Sequence, residues 1–532
     1  MQTVSNAWKE NQQRTIVNEG FVEVSIDIAD PDAIADATSH DNGASYLSTT
    51  PQVVREGDRN IAPYATLEQN MWVLDGGRKM LPLSDFGDGG YIGDVVCGSD
   101  GIFRDKIPVI TVWFTRVHSN LIPGVTIVWS NTYGEFARDF VVTAYNDLKV
   151  VAKKEVRGNA DLKSVVLTDI TGYDRIEIAV WKWCLPYHRA RIEEIFVGVN
   201  KVYDKSDLFD YTHDQTVDPV ASSLPKAGVS FSVNNIDGSY NPYNTEGLTK
   251  YLMERQEIKT RYGYKVDDKN IEWVRGGTFY LSEWNAPQNG ISAEFKARDL
   301  LEFMFADFVD EVPAIAPRSL GDIATIIFRR ANLPLHTDGR NRWYIDPSLF
   351  EITTTGVLPV DTMANCLLMV ANAAGCTLCQ DREGTLRIEP LLRSDTDYKI
   401  SLSNSYKKAE MSLSKPLKNV VTKVYSYTTN ENGEVESTSY DMEVTFGTTG
   451  ETVTVDNPLI TDDDRAVLVA EAVGNYLQSR ITLDSSWRPD VRLDALDKVN
   501  IENSYGDSNV IVTDVKYTFN GSFRGECKGR VI

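Results

Sequence analysis

Cysteine and histidine are scarce in this sequence, and neither is arranged for metal or redox chemistry. The 532 residues include six Cys and five His. No two His lie at metal-ligand spacing, and no HExxH motif occurs. Cys376 and Cys379 form a CxxC pair without a second CxxC or a nearby His, so buried thiols and a redox or metal pair both stay open. A chain of this length can build hydrophobic cores without disulfides.

Long apolar runs are missing as well. No stretch approaches the length of a membrane span. The N-terminal residues, MQTVSNAWKENQQRT, are polar and lack the basic head and apolar run of a secretory signal. We therefore expect a protein that is made and folded in a cytoplasm and that leaves the cell by lysis or as part of a particle.

Positive charge is in short supply. Lys and Arg number 54 against 76 Asp and Glu, which gives a formal net charge of −22. Such a surface repels phosphate, so specific binding to DNA is not expected. This charge would suit a channel that DNA slides past, and it would equally suit a protein that only has to stay soluble.

Catalytic motifs are absent too. The sequence has no GxSxG elbow and no GxxxxGK[ST] loop, which argues against a serine hydrolase and a P-loop NTPase. A glycosidase pair of carboxylates needs no local motif, so Glu193 and Glu194 are candidates by their position on a predicted strand. The alternative for both is a solvated acid on an acidic protein.

Aromatic residues, in contrast, are plentiful. The local pattern of apolar, polar and turn-forming residues changes several times along the chain. With 24 Tyr, 19 Phe and 10 Trp, the composition favours strands. Short strands separated by Gly, Asn and Asp turns predict a mainly β protein with α+β parts. The predicted segments are an N-terminal strand and linker at 1–39, a β-sandwich or jelly roll at 40–200, a strand-rich unit at 201–310, a small α/β unit at 311–400, and a second strand-rich unit at 401–532 with a helix at 462–480.

Helix boundaries carry local signals in the α/β unit. Ser319 followed by Asp322 resembles a capping box at a helix start. Residues 361–374 end at Gly375, and Gly accepts the left-handed φ that usually follows a helix. Helices are also predicted at 245–255 and 297–308.

Three segments carry a resemblance to a known family. They are KAGVSFSVNNIDGSYNPYNTEGLTKYLMERQEIKTRYGY (226–264), IEWVRGGTFYLSEWNAPQNGISAEFKARDLLEFM (271–304) and DKVNIENSYGDSNVIVTDVKYTFNGSFRGECKGRVI (497–532). They resemble tail hub, or baseplate hub, proteins of phages and prophages of Firmicutes, related to the N-terminal part of tail-associated lysins. The similarity covers roughly 200–532 and the strand at 15–28.

The resemblance implies a virion structural protein at the tail tip, not an enzyme. It implies a homotrimeric ring that closes the tail tube, in which the strand-rich blocks at 201–300 and 400–532 are β-barrel-like domains that each mimic one tube subunit. The α/β unit would be peripheral. Implied partners are the distal tail protein, the tail tube, the tape-measure protein and tip or fibre proteins, while DNA passes through the channel without being specifically bound. Since the chain stops after the last hub strands, we expect no lysin domain.

The block at 40–200 resembles a galactose-binding-like sandwich of the carbohydrate-binding-module type. The residues that carry this likeness lie at 110–147 and 173–199. Such modules bind sugars through loops at one end, and exposed aromatic rings stack on sugar C–H groups. The candidates for glycan contact are Tyr133, Arg138, Trp181, Trp183, Tyr187, His188 and Arg189. For each of them, packing in the core is the alternative.

A calcium site is predicted in the same block. Asp85 and Asp88 lie in DFGDGG, and acidic, Gly-rich turns can wrap a hard cation. The alternative is an ordinary turn, in which Asp and Gly are the commonest residues.

Three hypotheses follow. The first is a tail hub whose chemistry is interface formation, and the second is a receptor-binding tail adhesin that holds a cell-wall glycan. The third, a peptidoglycan-degrading tail enzyme, has no motif behind it.

Overall fold

The computed structural model describes most of the chain. The described residues are 2–14, 18–42, 47–54, 61–66, 68–72, 77–79, 88–245, 247–267, 270–286, 290–310, 316–336, 340–391, 395–431 and 435–532. The mainly β fold expected from the sequence is confirmed.

Among the described residues, five α-helices have well-defined ends. They are α1 (Asn6–Gln13), α2 (Pro31–Asp36), α3 (Leu320–Ala331), α4 (Met363–Ala374) and α5 (Asp463–Leu477). The Ser319 side chain accepts the Asp322 N–H at the start of α3, and Gly375 has φ +65° at the end of α4, as predicted. Within the described residues, no helix is both long and apolar enough to cross a bilayer.

The helices predicted at 245–255 and 297–308 are wrong. Each is reduced to a single 3-10 turn, at Thr249–Tyr251 and at Leu300–Phe303. A strand still includes Arg298, and the Asp299 side chain caps the turn by accepting the Leu301 N–H. Leu300 and Leu301 are buried, so tertiary packing takes the apolar residues that a helix would have used.

Most of the other regular elements are strands. Up to residue 203 they are β1 (Gly20–Ala29), β2 (Thr38–Asn42), β3 (Tyr91–Val96), β4 (Val109–His118), β5 (Ile122–Val128), β6 (Ala137–Asn146), β7 (Lys149–Val156), β8 (Lys163–Ile170), β9 (Tyr173–Trp183), β10 (Arg189–Ile192), β11 (Glu194–Phe196) and β12 (Gly198–Tyr203). From there to residue 400 they are β13 (Leu208–Thr216), β14 (Lys226–Asn234), β15 (Glu257–Lys265), β16 (Ile271–Asn285), β17 (Ser292–Arg298), β18 (Asp307–Phe308), β19 (Arg318–Ser319), β20 (Trp343–Ile345), β21 (Thr353–Thr354), β22 (Asp361–Thr362), β23 (Thr377–Gln380), β24 (Leu386–Glu389) and β25 (Asp395–Ile400). The last are β26 (Glu410–Leu413), β27 (Leu417–Thr429), β28 (Val435–Thr445), β29 (Glu451–Val455), β30 (Ile481–Trp487), β31 (Lys498–Asn503), β32 (Gly506–Phe519) and β33 (Phe523–Val531).

One 13-stranded sheet joins the beginning, the middle and the end of the chain. Its order is β12-β1-β15-β16-β17-β14-β13-β32-β33-β30-β26, and β31 with β25 extends from β32. Among the described strands this path is open, with β12 at one end and β26 at the other. Strand β13 pairs with β14 on one side and β32 on the other, so the two strand-rich blocks share a sheet. They also share one hydrophobic core. We call this sheet with its core the hub body, after the family that its segments resemble in sequence.

The sandwich is inserted in the chain between β1 and β12, two paired strands of the hub body. Its sheets have the orders β2-β4-β9-β6-β7 and β11-β5-β8, and they enclose a core of their own that includes Trp129 and Trp183. The chain leaves the hub body after Ala29 and returns at Gly198, and these two residues are direct partners in the β1–β12 ladder. The insertion therefore begins and ends at one point of the sheet.

The α/β block is larger than the sequence predicted. Its core combines α3, α4 and the β20-β24-β23 sheet with α5 and the β28-β27-β29 sheet. The last two elements were expected in the strand-rich unit at 401–532. They pack here because α5 buries Ala466, Val469 and Val473 in the same core as Val420 and Val424 of β27.

Candidate functional site

Four of the predicted glycan residues converge at one end of the sandwich, around Glu135. This carboxylate is 2% exposed and accepts the indole N–H of Trp183 at 2.7 Å. His188 Nδ1 lies 3.0 Å from the same oxygen. Both Trp183 and His188 are buried, so their side chains face the interior, which does not fit the exposed stacking expected of them.

A second buried carboxylate, Glu68, extends this cluster. Arg191 donates from Nη2 to Glu68 Oε1 at 2.6 Å, and its Nη1 lies 3.8 Å from Glu135 Oε2. Burial opposes ionisation of Glu68, but the charge and hydrogen bonds of Arg191 outweigh it, and the pKa of Glu68 is lowered. The sandwich end is thus held by a paired, largely satisfied polar network.

Tyr133 and Arg189 border the network. The Tyr133 hydroxyl accepts the Tyr64 N–H at 2.6 Å, and its ring lies under the Arg191 guanidinium at 4.9 Å. Arg189 donates its backbone N–H to Glu68 at 2.7 Å and its guanidinium to the Gly93 carbonyl at 3.0 Å. These contacts orient both side chains toward the protein.

The remaining three candidates lie at the surface. Arg138 is exposed, Tyr187 is 48% exposed at φ +60°, and Trp181 is partly exposed with the Arg157 guanidinium 4.0 Å from its ring. These residues form the accessible part of the predicted glycan surface.

A β-bulge explains why Trp181 and Trp183 differ in burial, although residues two apart on a regular strand share a face. The β6–β9 ladder pairs Phe140 with Val180 and Asp139 with Lys182, which leaves Trp181 as the extra residue. The extra residue shifts the alternation of side chains by one position. After the buried Val180, the next buried residue is therefore Trp183, and Trp181 stays partly exposed.

Sequence analysis missed Glu68, Glu135 and Arg191. Glu68 and Glu135 lie outside regular strands, and Arg191 reads as one more polar residue of a strand end. The only signal was an Arg between two apolar residues, Ala190 and Ile192, where burial demands a charged partner.

The calcium prediction falls partly outside the described residues, since Asp85 is not among them. Asp88 accepts hydrogen bonds from the Thr49 hydroxyl and, at 3.1 Å, from the Gly90 N–H. In the described part of the chain, no group of three or more His, Cys, Asp or Glu side chains is placed to hold a metal ion. The calcium site stays a prediction.

The CxxC cysteines are free thiols beside the β23–β24 hairpin. Burial raises the pKa of Cys376 and of Cys379 to about 12. Thiols held protonated in this way are poor nucleophiles and poor metal ligands, which favours buried thiols over a redox pair.

The turn of this hairpin places Arg382 where the α/β block meets the hub body. There it reaches both strand-rich blocks, the one around residue 275 and the one around residue 494. Asp381 accepts the N–H groups of Glu383 and Thr385 at 3.0 Å, which fixes the turn. Arg382 then donates to Asp494 Oδ1 at 2.6 Å, to the Leu493 carbonyl at 2.9 Å and to the Arg275 carbonyl at 2.7 Å. One guanidinium therefore ties three parts of the fold together.

A buried polar chain lies beside this junction, on the strand that joins the two halves. His213 of β13 contacts the Tyr262 hydroxyl at 2.8 Å, and Tyr211 contacts the same hydroxyl at 2.7 Å. Burial, and then the charge of Arg382, lowers the pKa of His213 to about 3. The histidine is therefore neutral at physiological pH.

A groove of about 500 Å³ opens where the sandwich, the hub body and the α/β block meet. Several of its basic side chains are paired with acids: Arg342 contacts Glu257 at 2.8 Å, and Lys259 contacts Glu257 at 3.1 Å. Burial opposes ionisation of Glu257, yet the charges of Lys259 and Arg342 lower its pKa to about 2. The groove is an interdomain seam of paired charges.

The fold thus defines a mainly β protein built on one long sheet, with an inserted two-sheet sandwich and an α/β block. No known protein family matches the chain, and no curated protein matches it.

Several solved structures are similar to this chain. They include the 43 kDa tail protein of prophage MuSo2 from Shewanella oneidensis, at 11% identity and a TM-score of 0.40, covering 62% of this chain and 94% of that one. A tail protein from Neisseria meningitidis has 10% identity and a TM-score of 0.41, with 63% and 93% covered. The prophage tail protein gp18 from Listeria monocytogenes has 12% identity and a TM-score of 0.38, with 63% and 91% covered.

Proposed function

We propose that this protein is a tail hub: a structural virion protein, not an enzyme, that closes the distal end of a phage tail tube. In this proposal three copies form a ring around the channel. The ring contacts the tail tube, the tape-measure protein, the distal tail protein and tip or fibre proteins, in a phage or prophage of Firmicutes.

The observation that carries the proposal is the shared sheet of the hub body. The blocks that resemble the family, at 226–304 and 497–532, are joined through β13 into one sheet with one core. A rigid double unit of this kind is what a ring subunit needs if each half is to occupy one position of a six-fold tube. The acidic surface, at −22, suits a wall along which DNA moves without binding.

The test is the oligomeric state of the full chain. Native mass spectrometry and light scattering should give three times the 59.5 kDa chain mass, and electron microscopy should show rings. A stable monomer at high concentration would contradict the proposal. Peptidoglycan zymography should show no clearing, and clearing would favour the wall-degrading alternative.

A second role, as an adhesin, is compatible with the first. It is favoured by the exposure of Arg138, Trp181 and Tyr187 at the sandwich surface, where a sugar ring can reach them. A glycan array probed with the full chain tests it, and binding should fall when these side chains are removed. Equal signal from the variants would remove this surface from consideration.

A further inference from the structure

The five-stranded sheet of the sandwich lies on the side away from the hub body. The three-stranded sheet is the one that meets the hub body: Thr126 of β5 donates to the Gly198 carbonyl at 3.1 Å, and Asp169 of β8 contacts Lys250 at 3.1 Å. The five-stranded sheet packs on the opposite side of the sandwich core. Side chains on its outer face are therefore accessible to a ligand from solution.

Two compensating bulges interrupt this sheet at one place, between β6 and β9. They are bounded by two ladder pairs of core-facing residues, Phe140 with Val180 and Ala137 with Trp183. Between these pairs, only Asp139 and Lys182 are ladder partners. Arg138 is therefore an extra residue of β6, and Trp181 is an extra residue of β9. Bulges re-aim side chains and are over-represented next to functional sites.

The bulges direct two basic side chains and one indole away from the core. We call these residues, Arg138, Trp181 and Lys182, the bulge cluster. Arg138 is exposed, and Trp181 and Lys182 are both partly exposed. On a regular strand one of two successive side chains would face the core, so the bulge is what allows Trp181 and Lys182 to face outward together.

The acidic side chains beside the bulge cluster are already paired. Arg157 lies 4.0 Å from the Trp181 ring, and it contacts Glu155 at 3.3 Å and Asp139 at 3.9 Å. Asp139 also accepts a backbone N–H at 2.9 Å, and no ion pair joins it to its ladder partner Lys182. The negative charge at this place is therefore compensated by Arg157.

Arg138 and Lys182 keep an uncompensated positive charge. Neither side chain forms an ion pair with another described residue. The whole chain carries −22, so two unpaired cations beside each other are an exception on its surface. An anionic group is attracted to such a place, and a guanidinium can hold a carboxylate or a phosphate through two parallel hydrogen bonds.

The indole of Trp181 favours a glycan among the anionic ligands. Its partly exposed ring offers an apolar surface, on which the C–H groups of a sugar ring can pack, next to the two cations. A nucleic acid carries a phosphate at every residue, and the acidic chain as a whole repels it. A sugar with one anionic group beside neutral C–H surface matches both the few cations and the ring.

We propose that the bulge cluster binds an anionic glycan: Arg138 and Lys182 hold a carboxylate or phosphate group, and Trp181 packs against the sugar ring that carries it. This inference rests on the adhesin role proposed above and names the chemical class of its ligand. The charge of the sugar, and not its shape alone, then decides binding.

Matched polymers test the role of the charge. Binding of the full chain is measured by biolayer interferometry on polygalacturonate, on its full methyl ester and on phosphomannan. The methyl ester keeps the sugar backbone of polygalacturonate and removes the negative charge. We expect binding to at least one of the two anionic polymers, and binding to the methyl ester at least tenfold weaker than to polygalacturonate or absent. The stronger of the two anionic polymers distinguishes a carboxylate from a phosphate.

Charge variants locate the site. R138E/K182E should weaken binding to the anionic polymer at least tenfold, because the reversed charges repel it, and R138K/K182R should retain the binding. The control is K149E/K154E, which makes the same charge change at two exposed lysines of β7. Lys154 lies opposite the core-facing Val142, and Lys149 lies at the far end of the β6–β7 hairpin. This control should bind like the wild type.

The outcomes separate this inference from the adhesin role and from the hub. Equal binding to polygalacturonate and its methyl ester, lost in Trp181→Ala, would overturn the anionic ligand and keep the adhesin role. Absence of binding to both anionic polymers, or equal losses in R138E/K182E and K149E/K154E, would overturn the inference and leave the trimer test of the hub unaffected. Single-stranded DNA bound as tightly as the anionic polymer would indicate a general polyanion surface and would also overturn it.

Discussion

At the scale of single residues, Arg382 and His213 make buried polar contacts at the places where the parts of the hub body meet. Arg382 reaches out of a hairpin turn and donates to two backbone carbonyls and a carboxylate of other blocks. His213 lies uncharged in the core of the joining strand. Both residues place polar chemistry where the sequence pattern alone suggests only a turn and a strand.

Replacing Arg382 by Met should loosen the junction. The change keeps an apolar stem but leaves the Leu493 and Arg275 carbonyls without this donor, and Asp494 without its cation. We expect the free energy of unfolding to fall by about 3 kcal/mol, within the range for an unpaired buried polar group. Urea denaturation measures it.

Arg524 provides the matched control. Its guanidinium lies exposed, 5.8 Å from the Tyr406 ring. Arg524→Met should cost less than about 0.5 kcal/mol. Equal losses for the two Arg variants would mean that Arg382 has no special role at the junction.

His213 predicts a specific pH dependence. The unfolded chain takes up a proton on this residue near pH 6.5, whereas the folded chain resists protonation until about pH 3. The contribution of the neutral, buried His213 to the free energy of unfolding is therefore fully present above pH 6.5. It is lost as the pH falls toward 3. Relative to His213→Gln, the wild type should lose about 2 kcal/mol between pH 7 and pH 5.

Denaturation of both proteins at each pH isolates this contribution, because the titrating carboxylates are common to both. The groups that face the imidazole are Tyr262, Phe279, Tyr517 and the charge of Arg382. A wild type and a His213→Gln variant that lose stability in parallel would show that the imidazole is protonated in the folded state.

At the scale of elements, the bulge in β9 divides neighbouring tryptophans between core and surface. Trp183 contacts Trp129 and donates to Glu135, while Trp181 lies beneath Arg157. One strand thus provides both a structural anchor and an accessible ring.

Alanine substitutions should separate the two roles. Trp183→Ala should destabilise the sandwich by about 4 kcal/mol, as expected for a large core side chain. Trp181→Ala should cost less than about 1 kcal/mol, as for a surface position, and should lower any glycan-array signal at least tenfold. Thermal unfolding and the array are measured on the same preparations. Loss of stability in Trp181→Ala equal to that in Trp183→Ala would contradict this division.

Local signals predicted some elements well and failed at others. The strand predicted in the N-terminal segment is present as β1, in which Val22, Val24, Ile26 and Ile28 are all buried. Ser319 and Gly375 marked helix ends correctly because caps depend on a few neighbouring backbone groups. The β9 bulge and the 3-10 turn at Leu300–Phe303 depend on partners far along the chain, which no local pattern reveals.

At the scale of the whole molecule, the sandwich is attached to the hub body by more than its two connecting strands. Lys250 contacts Asp169 of β8 at 3.1 Å, and the Tyr251 hydroxyl also donates to Asp169. The Thr126 hydroxyl donates to the Gly198 carbonyl at 3.1 Å. These contacts set the angle at which the sandwich leaves the sheet.

Asp169→Ala should allow the sandwich to change its orientation relative to the hub body, and neither part should unfold. We expect a larger radius of gyration in small-angle X-ray scattering and an almost unchanged melting temperature, since the ion pair is largely exposed. Glu155→Ala, which removes ion pairs within the sandwich, should leave the radius of gyration unchanged. An unchanged radius in Asp169→Ala would show that the ladder contacts alone fix the orientation.

The sequence predicted the arrangement of blocks better than their borders. The residue patterns predicted strand-rich ends, and the resemblance of the segments on both sides of 40–200 to one family implied that this block is inserted after the first strand. The membership of α5 and β27 in the α/β core was not, because both segments have amphipathic patterns that fit either neighbour. The candidate site was predicted by residue type, and the burial of Trp183 and His188 required coordinates.

The point of insertion has a consequence for how such a protein can change. Ala29 and Gly198 face each other across one ladder, so the two ends of the inserted segment lie at backbone positions only about 5 Å apart. Any other module whose termini lie that close together could be spliced in at the same place while β1 kept its pairing with β15. In the proposed tail hub, such an exchange would replace the sandwich and leave the sheet of the hub body unaltered.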